Sequence, residues 1–304
     1  MILFLNPQAG GATAAPRFEQ LRPALERGPL RGGYTRVTCA GELSRRLLTE
    51  RGEATLVAAG GDGTVNLALE ALLSLPERLR GRWTLGAIGL GSSNDFHKPQ
   101  RVLLGGRPVR LDSARAEARD VGQVDFLDPQ GRPQRCHFLL NASVGVVAEA
   151  NQRFNTGDAV LRSLKPRWTA GAIGYAALRA LLTAHDLEAR VALDGVRSAA
   201  PLTNLHVLLS PCIAGGLRYD LEASPQAGSF AVALCERQGR LSRLRTILAL
   251  SRGRFRGLPG TRSGRAWRVE IDVAAPVALE TDGEVRLASA IRIQLLRKAV
   301  SVCR

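Results

Sequence analysis

The 304-residue sequence has no apolar run long enough to cross a bilayer, so a helical membrane anchor is not expected. Its start, Met1-Ile-Leu-Phe-Leu-Asn-Pro, lacks a basic n-region and a cleavage site and reads as a buried strand. The expected location is cytoplasmic, with visits to a membrane surface. Five cysteines (Cys39, Cys136, Cys212, Cys235, Cys303) are scattered, odd in number and free of any CxxC pair, which excludes a disulfide framework and a zinc site. The four histidines show no metal-ligand spacing. The Walker A pattern GxxxxGK[ST] is missing, so any phosphate is held without a lysine-anchored P-loop. Lysine itself is nearly absent: Lys98, Lys165 and Lys298 are the only ones, and the net charge of +15 is almost wholly arginine. Such a chain attracts anions, although an arginine-biased composition gives the same charge without a specific partner. No nucleic-acid-binding module is recognisable, and no nucleic-acid partner is expected.

What is present is ordinary globular composition, 45% hydrophobic and 23% charged, which rules out wholesale disorder. The first third alternates strand and helix signals. Ile2–Leu5, Thr35–Thr38, Thr55–Ala59 and Trp83–Ile88 read as strands; Pro16–Leu25, Glu42–Thr49 and Val65–Leu75 read as helices. Strands that close on glycine turns and then run into helices predict βα units around a parallel sheet, with ligands at the carboxyl ends of the strands. From about Asp120 the texture becomes β-prone: Val121–Phe126, Cys136–Ala142, Ala189–Leu193, Leu205–Leu209, Phe230–Leu234, Arg268–Val273, Val277–Glu280 and Ala290–Leu296. Helical interruptions fall at Gly171–Ala184 and Leu241–Leu250, and Gly253–Gly264 reads as a flexible loop. An antiparallel second lobe is expected.

Four segments carry chemistry. In Val57-Ala-Ala-Gly60-Gly61-Asp62-Gly63-Thr64-Val65-Asn66 a buried strand meets a glycine bend and a helix. Glycines let a polyanion approach main-chain N–H groups, and the helix N-terminus favours negative charge. Asp62 beside phosphate then holds a metal ion or a sugar hydroxyl, or orients a neighbour; the plain alternative is a tight turn with Asp62 capping the helix. The second segment, Gly89-Leu-Gly91-Ser92-Ser93-Asn94-Asp95-Phe96, begins like a dinucleotide fingerprint but has Asn94 where the third glycine belongs. It suits the wall of a nucleotide or acceptor pocket and equally a surface turn. The third, Asn6-Pro7-Gln8-Ala9-Gly10-Gly11, is a turn after the first strand. The fourth, Glu280-Thr281-Asp282-Gly283-Glu284, places carboxylates around a glycine and reads by itself as a hairpin turn.

Together these segments resemble the diacylglycerol kinase catalytic-domain superfamily, and within it the bacterial diacylglycerol kinase/YegS-like lipid kinases. The resemblance spans nearly the whole chain: the NPxAG-like opening, GGDGTxN at Gly60–Asn66, the NDF segment at Gly91–Phe96, Asp120-Val-Gly, Phe138-Leu-Leu-Asn141 with Gly145, and Asp282-Gly-Glu284. GGDGT is shared with NAD kinases and phosphofructokinases, whereas NDF and the late DGE narrow the match. The resemblance implies an α/β fold plus a mainly β part: an NAD kinase-like nucleotide-binding α/β lobe at 1–118, rejoined by a strand at 288–304, and an antiparallel β-rich acceptor lobe at 119–287, with the active site in the cleft. It implies ATP on Gly60, Gly61, Asp62, Gly63, Thr64 and Asn66, with Asn6, Thr38, Ser92 and Asn94 lining the nucleotide site. Asp62, Asp120 and Glu284 would surround catalytic Mg²⁺, and Asp282 would be the general base on a lipid hydroxyl. The implied partners are a nucleotide and a lipid substrate at the membrane surface, with a homodimer as one assembly. A soluble NAD kinase-like enzyme and an inactive nucleotide- or lipid-binding protein are the alternatives.

Two features bear on that expectation. Gln226 and Ala227 stand where relatives carry aspartates for a structural Mg²⁺, with Asp220 and Glu222 nearby. Leu241, Leu244, Ile247 and Leu248 lie at helical spacing among Arg240, Arg243, Arg245, Arg252, Arg254 and Arg256. This is either a basic amphipathic helix resting on anionic lipid or, as the apolar stripe favours, a helix packing its leucines onto the second lobe. Arg153, Arg162, Lys165, Arg167 and Trp168 form a second cationic stretch of the same ambiguity.

Overall fold

The computed structural model describes residues 1–52, 54–99, 101–156, 175, 179, 180, 183 and 185–304. The chain forms two compact units, Met1–Val121 with Arg297–Arg304, and Gly122–Leu296. Within the first unit, β1 (Ile2–Leu5), β3 (Ala54–Gly60) and β4 (Trp83–Gly89) are almost entirely buried. Strands covered on both faces need continuous apolar runs, and these sequences supply them. They pair in parallel in the order β2-β1-β3-β4, with β2 spanning Thr35–Val37. The chain end returns beside β4, pairing Ser301 with Thr84 and Val302 with Leu85.

The helix Ala14–Arg27 buries Phe18, Leu21 and Leu25 on one face, and Asp62–Leu73 buries Val65, Ala68, Leu69 and Leu72. Each such large side chain contributes about 1.5–3 kcal/mol relative to exposure, so a Phe18→Ala cavity would cost about 3–5 kcal/mol. A hairpin of Val102–Leu104 and Arg107–Arg110 went unread in the sequence. Its strands are short and half exposed; the only local signal is Gly105-Gly106, both at positive φ as a tight hairpin demands.

The second unit is antiparallel throughout. Its path runs Thr261–Ala266, Phe230–Glu236, Val196–Leu208, Leu187–Leu193, Arg268–Val273, Glu284–Val302. Asn141–Gly145 pairs with Val196–Leu208 and with Val277–Thr281. Phe138, Val144, Leu205, Val207, Phe230, Val232, Ile271 and Ile291 form its core.

Three sequence expectations are corrected here. Cys136–Ala142 is not one strand: Pro133–Phe138 ends, and Asn141–Gly145 begins after a turn whose amides bond a side chain instead of a ladder. Gly253–Gly264 is a loop only in its first part, because Thr261–Ala266 completes the edge of Phe230–Glu236. The helix Arg240–Leu250 packs its apolar stripe inward only at Ile247, half-buried against Val146 and Ala180: Leu241, Leu244 and Leu248 are exposed, while Arg243, Thr246 and Leu250 are buried. Arg243 finds Asp186 at 2.8 Å, and Thr246 accepts from Gln238 at 3.0 Å. The expected helix at Gly171–Ala184 falls mostly, and Arg162, Lys165, Arg167 and Trp168 fall wholly, outside the described residues.

Candidate active site

In the first unit the turns after β1, β3 and β4 converge at the carboxyl ends of neighbouring strands. Asn6 donates its backbone N–H to Ala59 O at 3.1 Å and its side-chain Nδ2 to Thr64 Oγ1 at 3.2 Å, tying the opening motif to GGDGT. Gly60 O accepts from Leu90 N at 2.7 Å and Gly91 N at 3.2 Å. The two glycine bends touch through their backbones: a Cβ on Gly91 would lie 2.5 Å from Gly61 Cα. No other residue fits there. Asn94 replaces a glycine by adopting the left-handed conformation (φ 51°) and closes its own turn, accepting from Gly91 N at 3.1 Å and donating to Gly91 O at 3.0 Å. Gly10 and Gly11 are left-handed as well.

Gly60 and Gly61 lead into the helix Asp62–Leu73, whose Thr64 N and Val65 N turn back onto Gly61 O at 2.9 and 3.2 Å. The glycine bend leaves room for an anion to approach the backbone at this helix N-terminus. Thr64 and Asn66 are buried in it; Ser92 and Thr38 are exposed at the ends of β4 and β2. Asp62 points its carboxylate across to the second motif, accepting from Asp95 N at 3.0 Å and Phe96 N at 2.9 Å. It holds the NDF turn against the GGDGT turn. Asp95, which sequence reasoning did not single out, is buried and pairs with Lys98.

Asp120 is buried in the strand Glu117–Leu127 and accepts from Lys298 N at 2.8 Å, fastening the returning chain end. Close to it lies a cationic layer invisible in the sequence pattern. Arg110 and Arg119 stack on Phe96 at 5.6 and 5.5 Å, and Arg110 Nε donates to Phe96 O at 3.1 Å. Burial, then the neighbouring Arg110, Arg101 and Arg119, pushes His97 down to about 3, so it is neutral. Burial likewise brings Arg119 down to about 10.

In the second unit, Thr281 pairs with Glu284 across a two-residue turn, with Asp282 (φ 48°) and Gly283 (φ 92°) both left-handed. The buried Asp282 carboxylate accepts from Leu139 N (2.8 Å), Leu140 N (2.9 Å) and Asn141 N (3.2 Å). Glu280, also buried, accepts from Ser143 Oγ at 2.8 Å and Gly283 N at 2.5 Å. Both therefore build the hairpin. Glu284, at its exit, is exposed. Beside the hairpin's strands lies a groove of about 550 Å³ lined by Glu149, Gln152 and Arg153 and by Leu187, Val277 and Leu287. Burial pushes the Glu149 carboxyl up.

Carboxylate oxygens suit Mg²⁺. Yet Asp62 and Asp120 accept main-chain N–H groups, and among the described residues no three His, Cys, Asp or Glu side chains gather into a metal-holding group. Of the expected ion set, Asp62 and Asp120 belong to the first unit and Glu284 to the second. Asp220 also serves backbone, accepting from Phe255 N at 2.9 Å and Arg256 N at 3.1 Å, and Glu222 meets Arg265 at 3.4 Å.

Residues 1–119 match the model of the diacylglycerol kinase catalytic domain, and residues 141–304 that of the YegS C-terminal NAD kinase beta sandwich-like domain. The chain belongs to the diacylglycerol kinase/YegS-like lipid kinase family. It is 24% identical over 288 residues to the diacylglycerol kinase of Bacillus subtilis (strain 168), covering 93% of this chain and 88% of that one. It is 34% identical over 98 residues to "Probable lipid kinase YegS-like" of Yersinia enterocolitica, covering 30% of this chain and only 28% of that relative's length. A solved structure described as a diacylglycerol kinase from Bacillus anthracis str. Sterne shares the fold, with a TM-score of 0.64 at 15% identity over 99% of this chain and 95% of that one. This family's α/β first part and β-rich second part are the two units described above.

Proposed function

We propose that the protein transfers the γ-phosphoryl group of Mg²⁺·ATP to a hydroxyl of diacylglycerol or a related lipid. The observation that carries this reading is the pair of interlocked glycine bends, Gly60–Gly63 and Gly89–Gly91, a backbone surface bare of side chains that lets a polyphosphate approach the start of the helix Asp62–Leu73 where a lysine-anchored loop is lacking. The Mg²⁺ arrives with the nucleotide as part of the substrate. Asn6, Thr64 and Asn94 keep the bends in register, and Asp62 fixes the NDF turn.

In the transfer, the acceptor oxygen attacks the γ-phosphorus, the bond to the β,γ-bridging oxygen breaks, and ADP leaves. The hydroxyl proton needs an acceptor. We assign it to Glu284, whose carboxylate is exposed, in place of Asp282, whose oxygens hold three amides. The half-apolar groove at Leu187, Val277 and Leu287 is a suitable bed for the glyceride part of the acceptor.

The test is label transfer from γ-labelled ATP to a lipid panel in mixed micelles, with NAD as a competing acceptor. Labelled phospholipid is expected, with turnover reduced at least about a hundredfold in Glu284→Gln, in line with the loss of a general base. Label in NADP instead would replace this reading with a soluble dinucleotide kinase. No label in any acceptor, with ATP still bound, would leave an inactive binding protein.

A further inference from the structure

We propose that the helix Arg240–Leu250 and the loop after it form a docking surface for an anionic lipid bilayer. The helix is mounted opposite to the usual sense. Its inner face sets polar anchors beside apolar ones: Arg243 is only 7% exposed and ion-paired to Asp186, Thr246 is bonded to Gln238, Leu250 is buried, and Ile247 packs half-buried against Val146 and Ala180. Its outer face carries Leu241, Leu244 and Leu248, exposed by 84%, 41% and 48%. Spacings of three and four residues put these leucines on one stripe. An apolar stripe turned to water is unfavourable unless something covers it.

The surroundings identify the cover by charge. Arg240, Arg245, Arg252, Arg254 and Arg256 are exposed around the stripe, and none of the five is ion-paired among the described residues. Between Gly239 and Leu258 the sequence holds no acidic residue. An open groove of about 480 Å³ joins the two chemistries, with Leu241, Leu244, Leu248 and Leu258 beside Arg245 and Arg252. The loop is held in place: Asp220 accepts the amides of Phe255 and Arg256, and buried Phe255 packs edge-on to Tyr219 at 4.9 Å.

Leucines that sink to the acyl boundary beneath guanidinium groups at headgroup phosphates fit this pattern on both counts. A second copy of the chain fits poorly, because a self-complementary contact would set five arginines against five more. RNA would use the arginines and leave the leucines wet, with no exposed aromatic on the helix or its loop to stack a base. The inference goes beyond the kinase reading and is read without nucleotide, so its failure and the failure of phosphoryl transfer are separate results.

The experiment is cosedimentation of the full chain with vesicles of phosphatidylcholine alone or with 30% phosphatidylglycerol, where the fraction is chosen at roughly plasma-membrane anionic charge. Binding is expected only to the anionic vesicles. Arg245→Gln/Arg252→Gln/Arg254→Gln should weaken it about a hundredfold, at about fivefold per arginine. Leu241→Ser/Leu244→Ser/Leu248→Ser should weaken it by about tenfold or more. Arg45→Gln/Arg51→Gln/Arg78→Gln, with the same loss of net charge on the first unit, should bind like the parent, since the proposal places the contact on the helix and its loop and not in the net charge of the chain. Should a triple variant melt early, Leu241→Glu, at the most exposed position, gives the same readout. Equal losses in the control, equal binding to neutral vesicles, tighter arginine-dependent binding to RNA, or a lipid-free dimer dissolved by the leucine variant would each overturn the proposal.

Discussion

The sharpest perturbation is Asp282→Asn, because two roles for this residue predict opposite results. As an anchor, the carboxylate takes three main-chain N–H groups in a buried turn. Asparagine keeps one acceptor oxygen, which serves Leu140 and Asn141 at Oδ1 without the help of charge. Its NH₂ group then faces Leu139 N–H, donor against donor. Orphaning one buried amide costs about 1–3 kcal/mol, and weakening two charge-assisted bonds adds about 1–2 kcal/mol. For a unit of 150–250 residues each kcal/mol moves the melting temperature by about 2–4 °C, so a drop of about 5–15 °C is expected. Scanning calorimetry measures it, with Glu284→Gln as the reference: an exposed carboxylate whose loss should leave melting within about 2 °C while removing turnover. If Asp282→Asn melted with the parent and only turnover vanished, the residue would be the proton acceptor and the anchoring argument would fail.

Two further outcomes follow from the packing. Gly91→Ala places a Cβ at 2.5 Å from Gly61 Cα, a backbone clash worth about 1–3 kcal/mol, and should weaken ATP binding about tenfold or more by titration calorimetry. Unchanged affinity would remove the interlocked bends from the nucleotide site. Acid should destabilise both units, since His97 and His206 are held neutral, each brought down to about 3 chiefly by burial. Their unfolded forms bind a proton below about pH 6.5 and the folded forms do not, so stability present above that pH falls as pH drops toward 3. Each contributes a slope of about 1.4 kcal/mol per pH unit, and His206→Gln should remove one such slope from urea unfolding of the second unit between about pH 6 and 4.5. An unaltered slope would mean that His206 is protonated in the fold.

Apolar runs and glycine punctuation were readable because they reflect constraints the sequence states by residue type. β1, β3 and β4 need continuous apolar side chains, and the bends at Gly60–Gly63 and Gly89–Gly91 need residues without a Cβ. What the carboxylates do was not readable in the same way. Asp62, Asp120, Asp220 and Asp282 all accept backbone N–H groups, from Asp95 and Phe96, Lys298, Phe255 and Arg256, and Leu139 to Asn141. A main-chain donor has no residue identity, so an acid that grips one looks identical in sequence to an acid awaiting a metal or a proton.

The helix Arg240–Leu250 shows the same limit for orientation. Its period of leucines states that the helix has two unlike faces, and nothing within it states which face turns inward. Asp186, Thr203 and Gln238 decide that from outside the helix: Asp186 takes Arg243 at 2.8 Å and Thr203 Oγ1 at 2.7 Å, and Gln238 takes Thr246. Turning the helix over would separate Arg243 from Asp186 and expose Leu250, which together forgo an amount comparable with the about 1.5–3 kcal/mol that each surface leucine gives up. Rotating the helix to hide its leucines would strand Asp186 and break the Gln238–Thr246 contact at once. The Arg243–Asp186 pair, the Gln238–Thr246 bond and buried Leu250 together hold the inner face in place, and the leucine stripe faces out.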